Sequence, residues 1–232
     1  MKKLRYLAAA LCLPALTHAQ NGFYLSASGG AGITNASKPE PPGIILEDKS
    51  AFMHYSARLN AGYQMNRWRF QTGIQYFTSG FKRDLVFGND FNPATPDIVN
   101  PSGDQRVTFH HIGIPVQVGY ALPLGNRLKL VPTLGLLTTY NISASMRTRE
   151  GSIKHTSSLT GADFSSQYNR ISFWGTAAVH LEYRLSNKVS LFGGPSANYM
   201  IGNLAKPSVN SGFSYSQRNY TIGFELGIKL EL

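Results

Sequence analysis

Cysteine is almost missing from this chain of 232 residues: Cys12 is the only one, which excludes a small disulfide-held scaffold. Charge is scarce as well, at 15% of residues, with 12 acids against 22 lysines and arginines; a disordered, heavily solvated chain carries more. Beyond the N-terminus no apolar run approaches the roughly 20 residues of a membrane-spanning helix, because glycine and polar residues interrupt each candidate. Heptads and a sustained helical apolar stripe are lacking too. What the chain has in quantity is glycine, 23 residues of it, and aromatics at 12%.

The first twenty residues, MKKLRYLAAALCLPALTHAQ, carry the three parts of a secretory signal: Lys2, Lys3 and Arg5, then Leu7 to Leu16, then Thr17-His18-Ala19. Cleavage after Ala19 is expected, leaving 20–232 as one mature domain. Lipoprotein processing at Cys12 is the disfavoured alternative, since Leu11 precedes it where a small residue is usual. The mature chain then has no cysteine, and its formal charge of +10 falls by three to +7.

In the remainder a period of two recurs in long segments, which is strand patterning. Phe23, Leu25, Ala27, Ala31 and Ile33 alternate with Tyr24, Ser26, Ser28 and glycines. Tyr55, Ala57, Leu59, Ala61 and Tyr63 alternate with His54, Ser56, Arg58, Asn60 and Gln64; Asn66 and Arg67 then turn into Trp68, Phe70, Ile74 and Tyr76. The same alternation runs through 111–122, 128–140, 171–184, 189–201 and 220–232. These are eight strands. Three connections are short, around Asn66, Gly125 and Asn187, and they alternate with four long polar ones at roughly 34–53, 82–106, 141–169 and 202–217. An eight-stranded antiparallel up-and-down transmembrane β-barrel has this arrangement of short turns at one end and long loops at the other.

The face opposite the apolar set is rich in Gly, Ser, Thr and Gln, a poor surface for a soluble barrel and a suitable filling for a narrow lumen. Aromatics on the apolar face form two rows. Phe23, Tyr63, Trp68, Tyr120 and Tyr183 lie near the short turns, and Tyr55, Tyr76, Tyr140, Phe173, Tyr199 and Tyr220 near the long loops. The pairs Tyr55/Tyr63 and Trp68/Tyr76 are eight residues apart in sequence. At ~3.3 Å per residue and a tilt of about 40° this separates the rows by roughly 20 Å, close to the apolar band of a bacterial barrel. Pro115, Pro132 and Pro195 fall inside these strands without the amide a ladder uses, so bulges or shifted boundaries are expected there.

By parity, Arg58, Arg69, His180, Glu182, Arg184 and Glu225 point into the lumen. A charge so enclosed needs a partner. Arg58, Arg69 and Arg184 are therefore expected to pair with Glu182 and Glu225 in a network that leaves little or no conductance. A proton or solute path through His180 is the alternative.

At this point the chain resembles the small bacterial outer-membrane β-barrels, of the OmpX-type and PorT-like groups, over essentially its whole mature length. The most specific feature is the end, Glu225-Leu226-Gly227-Ile228-Lys229-Leu230-Glu231-Leu232, which is similar to the C-terminal assembly signal of such barrels. Glu225, Gly227, Leu230 and Leu232 occupy the signal positions, with Leu232 where an aromatic is commoner. The resemblance implies outer-membrane localisation, lipid and the barrel-assembly machinery as partners, and a monomer.

No catalytic, metal or cofactor site is expected. His155 and Ser157 share a loop and His110 adjoins His111, but no acid stands at a hydrolase spacing. Nor is nucleic acid an expected partner, because the cations are spread round a barrel rim. The expected role is structural or surface-interacting, with Phe87, Phe91, Tyr168, Phe213 and Tyr215 displayed on loops for an unknown ligand. A narrow pore or export component is one alternative; a soluble periplasmic lipocalin-like carrier, with the two faces exchanged, is another.

Overall fold

The computed structural model describes residues 22–37, 49–86, 102–150, 153–206 and 217–232. The expected signal segment and Phe87, Phe91, Phe213 and Tyr215 lie outside the described residues. In chain order the elements are β1 (Gly22–Ser37), β2 (Lys49–Ser50), β3 (Phe52–Met65), β4 (Trp68–Val86), β5 (Ser102–Tyr120), β6 (Leu122–Pro123), β7 (Leu128–Glu150), β8 (Ile153–Leu159), α1 (Gly161–Gln167), β9 (Ile171–Arg184), β10 (Val189–Met200) and β11 (Arg218–Glu231). Eight of them form a closed antiparallel barrel in the order β1-β3-β4-β5-β7-β9-β10-β11, and β11 returns to β1 from Tyr24↔Glu231 to Ser37↔Arg218. Asn66, with φ of 58°, makes the tight β3–β4 turn, where a positive φ matches the twist of the flanking strands.

The faces divide as lipid requires. Leu59, Leu134, Leu136 and Leu226 are all more than 60% exposed, whereas Gln75, Gln117, Thr176 and Asn198 are buried inside. Apolar side chains therefore coat the exterior, which removes the lipocalin-like arrangement. Both aromatic rows also lie on the outside. In the lower one Phe23 packs on Tyr63 and Trp68 on Tyr120, each pair with ring centres 5.0 Å apart. Tyr55, Tyr76, Tyr140, Phe173 and Tyr199 stand exposed in the upper row, with Tyr220 half-buried beside Tyr199.

Each strand proline sits where one of its two ladders is interrupted. The β4–β5 ladder skips from Val116 to Gly113 past Pro115, while the β5–β7 side continues through Pro115↔Leu137. The β9–β10 ladder skips Pro195, and β10–β11 continues through it. Pro132 faces the place where the partner of β7 changes from β5 to β6. The missing amide thus points to the side where no bond is made.

The strand boundaries near the long loops differ from those expected. β4 extends past 82 as far as Val86 and β5 already begins at Ser102, and the 141–169 stretch holds the top of β7, the return strand β8 and α1. The reason is an inversion of polarity. Below the upper aromatic row of β5, Ile112, Ile114 and Val116 face out; above it Phe109 and Val107 are buried inside, and Arg106 faces out. Once the outer face meets water instead of lipid, the apolar set must turn inward. The result is a taller wall on one side, where β2-β4-β5-β7-β8 form a five-stranded sheet above the rim. A bulge marks the transition: His110 pairs Ser143 and His111 pairs Asn141, so Ile142 is the extra residue of β7.

Leu226, halfway along the lipid face of β11, tests the assignment of faces. Leu226→Arg is expected to lose about 2–4 kcal/mol in urea unfolding from lipid vesicles; a change below about 0.5 kcal/mol, typical of a watery surface, would contradict it.

Candidate functional site: the packed lumen and its capped mouth

Eight strands leave room inside for side chains and little else. At the short-turn end, Glu182 of β9 accepts two hydrogen bonds from the Arg69 guanidinium of β4, at 2.5 and 3.0 Å, and one from Lys229 Nζ of β11, at 2.7 Å. Lys229 also meets Glu231 at 3.0 Å. Arg69 Nε donates to Gln64 Oε1 at 2.8 Å, so the guanidinium is fixed on both edges. The Tyr24 ring lies beside both cations, and its hydroxyl starts a chain through Gln71 and Gln117 to Thr176. Gly227 makes room for this layer's neighbour, since a Cβ there would stand 2.4 Å from the Phe192 ring.

One level higher, Arg58 of β3 donates to Glu225 Oε1 at 3.1 Å and to Gln75 Oε1 at 3.1 Å. His180 Nε2 lies 3.5 Å from Glu225 Oε2, an ion-pair distance too long for a good hydrogen bond. His54 is buried above the same carboxylate's strand, beside Gly223. Between the two charged levels a cavity of about 30 Å³ is lined by Ser26, Ser28, Asn60, Arg58, Glu182 and Lys229, among others.

Arg184 does not join this network. It lies at the short-turn rim and donates through Nη2 to Asn126 O at 2.6 Å. Lys229, not singled out from the sequence as a network member, takes the inner place. Parity assigns both to the lumen; height along the strand decides which one reaches Glu182.

The upper third is different in kind. Asn141 Nδ2 donates to Ser172 Oγ at 2.7 Å and to Asn169 O at 2.5 Å, which turns its Oδ1 toward His111. His111 Nδ1 therefore carries the proton and donates to that oxygen at 2.6 Å, leaving Nε2 to accept from Ser79 Oγ at 2.7 Å. Asn219 Nδ2 donates to the same hydroxyl at 2.9 Å. The order hydroxyl, imidazole, amide is that of a hydrolase relay. Here, however, Ser79 and His111 are wholly buried, and Phe77 and Trp174 pack on the imidazole. In this arrangement the relay ties β4, β5, β7 and β11 together and presents no hydroxyl to a substrate. His155 and Ser157 stand exposed on β8, away from it.

Above the relay the mouth is closed by apolar packing. Phe77, Phe81, Val107, Phe109, Leu137, Trp174 and Met200 from the wall meet Phe164 of α1 and Leu204. Arg170 holds α1 down: its Nε donates to Ser165 Oγ at 2.7 Å, its Nη2 to Gly161 O, and its Nη1 to the carbonyls of Asn141 and Ile142 at the bulge. Tyr168 packs on Phe109 and Phe164, and burial pushes its phenol up against the opposing pull of Arg83. The sequence signal for this cap was the inward parity of Phe77, Phe109 and Trp174; nothing in GADFSSQ announces the helix.

The chain was compared with known proteins. The model of a family described as outer membrane protein beta-barrel domain matches residues 6–226. The chain belongs to that family. It is an integral protein of the outer membrane, in keeping with its apolar exterior. The chain is also similar to solved structures. Neisserial surface protein A is 17% identical, with 91% of this chain and 97% of that chain covered and a TM-score of 0.45. The outer membrane protease OmpT from Escherichia coli is 11% identical over 94% of this chain and 100% of that chain, with a TM-score of 0.47. OprG from Pseudomonas aeruginosa is 9% identical over 91% and 96%, with a TM-score of 0.42. No curated protein matches the chain.

In this family member the charged layer at Glu182 should dominate lumen stability. Glu182→Ala strands Arg69 and Lys229 in the interior and is expected to cost about 3–5 kcal/mol, read as a lower midpoint of heat-modifiable gel migration. Adding Lys229→Met to that variant should recover part of the loss; no recovery would mean that the three groups are not one electrostatic unit.

Proposed function

We propose that this outer-membrane barrel is closed to solutes and acts through its outer surface, in envelope integrity or in binding a surface partner. The observation that supports the reading is the filling of the lumen along its length, from the Arg69–Glu182–Lys229 layer to the cap under Phe164. The cavity of about 30 Å³ between the charged levels has room for about two waters and for no solute. A path for ions would require both the paired charges and the aromatic cap to move, and burying the stranded charges during that movement is costly.

We place the chain with the OmpX-type and PorT-like barrels on pattern alone: short inner turns, long outer loops and the alternation of the last strand. At the C-terminal end, Leu230 of β11 and the following Leu232 are exposed while Glu225 and Gly227 face the lumen, the pattern that the barrel-assembly machinery would read. We further take the barrel to work as a monomer.

Purified protein in planar bilayers is expected to give no stable open-channel current. Large, long-lived currents from the unmodified protein would overturn the closed-lumen reading in favour of a narrow pore.

A further inference from the structure

The taller side of the barrel carries a feature that neither the lumen nor the cap uses. Above the upper aromatic row, the outer face of the β4-β5-β7 wall places Lys82, Arg106 and Arg147 directly opposite one another on three adjacent strands. Two residues higher, Asp104, Arg149 and Lys154 form the next row across β5, β7 and β8, with Asp84 in register beside Asp104. Like charges facing each other across strands destabilise a sheet. Asp104 lies 3.8 Å from Lys82 and stands directly opposite Arg149. Arg106 is held in place: its guanidinium stacks 3.9 Å over the Phe52 ring, and its Nη2 donates to Met53 O at 3.3 Å. Arg147, Arg149 and Lys154 are exposed.

Position identifies the occupant. The row through Arg106 lies six residues along β5 from Ile112, which pairs with Tyr76 and Tyr140 of the upper aromatic row. At ~3.3 Å per residue and a tilt of about 40°, that is about 15 Å above the row. Phospholipid headgroups reach only about 5–8 Å beyond the hydrocarbon, so their phosphates lie too low. The cations also face sideways, across the membrane surface, because they are on the outer side of the barrel wall. What stands beside a barrel at that height is the sugar portion of an outer-leaflet glycolipid. Strands ~4.8 Å apart and rows ~6.7 Å apart bring the cations close enough together for one multiply charged anion to touch several of them.

We infer that this wall binds the phosphorylated saccharide headgroup of an outer-leaflet glycolipid through Lys82, Arg106, Arg147, Arg149 and Lys154. The inference deepens the surface-interaction reading above and takes its orientation from it. Conductance separates the two: a barrel that conducts yet binds glycolipid would sink the closed lumen and leave this site standing.

The test uses the full chain refolded in detergent micelles, with fluorescent rough lipopolysaccharide as the probe, the same lipopolysaccharide after dephosphorylation, and soluble dextran sulfate as competitor. The expected result is saturable binding that weakens with salt and is lost on dephosphorylation. It should be about 100-fold weaker in Arg106→Gln/Arg147→Gln/Arg149→Gln, at roughly a factor of five per cation removed near a membrane surface. Heat-modifiable migration reports whether that variant folds; if it does not, the salt and dephosphorylation arms on the unmodified protein still decide. Equal binding of the dephosphorylated lipid, equal binding by the folded variant, or a stronger preference for dextran sulfate than for lipopolysaccharide would each overturn the assignment.

Discussion

Hydrocarbon neither donates nor accepts hydrogen bonds, so each amide in the membrane-spanning wall has to find its partner on a neighbouring strand. That requirement closes the ring and then governs what the ring tolerates. Pro115, Pro132 and Pro195 each keep one unbroken ladder and lose pairing on the other side alone. Above the upper aromatic row Gly80, at φ of 152°, meets a different demand, since a Cβ there would stand 1.9 Å from the Val107 carbonyl oxygen. Its amide is still answered, by Thr34 Oγ1 at 3.0 Å.

With lipid outside, polar groups can gather only inside, and there they must satisfy one another. The lower lumen meets this demand with charges whose hydrogen bonds are shared among strands far apart in sequence: Arg69 with Glu182, and Arg58 with Glu225. The upper lumen meets it with the neutral relay of Ser79, His111 and Asn141, sealed by aromatic packing. The change of strategy coincides with the change of surroundings. Where the wall rises into water, apolar residues regain the interior, and the barrel ends in an ordinary protein core under α1.

Alternation made the strands legible wherever the outside was lipid. Leu59, Ile74, Ile114, Leu134, Leu181 and Ile228 mark one face without ambiguity, and the spacing of Trp68 and Tyr76 marks the thickness of the membrane. The same criterion failed above the upper aromatic row, because Val107 and Phe109 carry the alternation forward with its sense reversed. A search for outward apolar residues reads such a segment as loop. The lumen was legible as to direction and not as to height: Arg184 has inward parity, yet its level at the rim brings it to the Asn126 carbonyl, while Lys229 reaches Glu182. Parity is a local property of a strand, whereas the level of a residue depends on the stagger of all eight. The helix rests on contacts made by Arg170 and Phe164 with distant strands, which no local pattern encodes.

The seam between β1 and β11 has a kinetic corollary. Tyr24 waits for Glu231, and every other rung of that ladder joins segments of comparable separation. Until β11 arrives, the growing sheet has two raw edges, each a template for mispairing with another chain. Few local contacts reward the approach of these strands, so sealing is the slow, late event of biogenesis. Once the zipper shuts no partial opening is cheap, because unfastening one rung in lipid strands its neighbours as well.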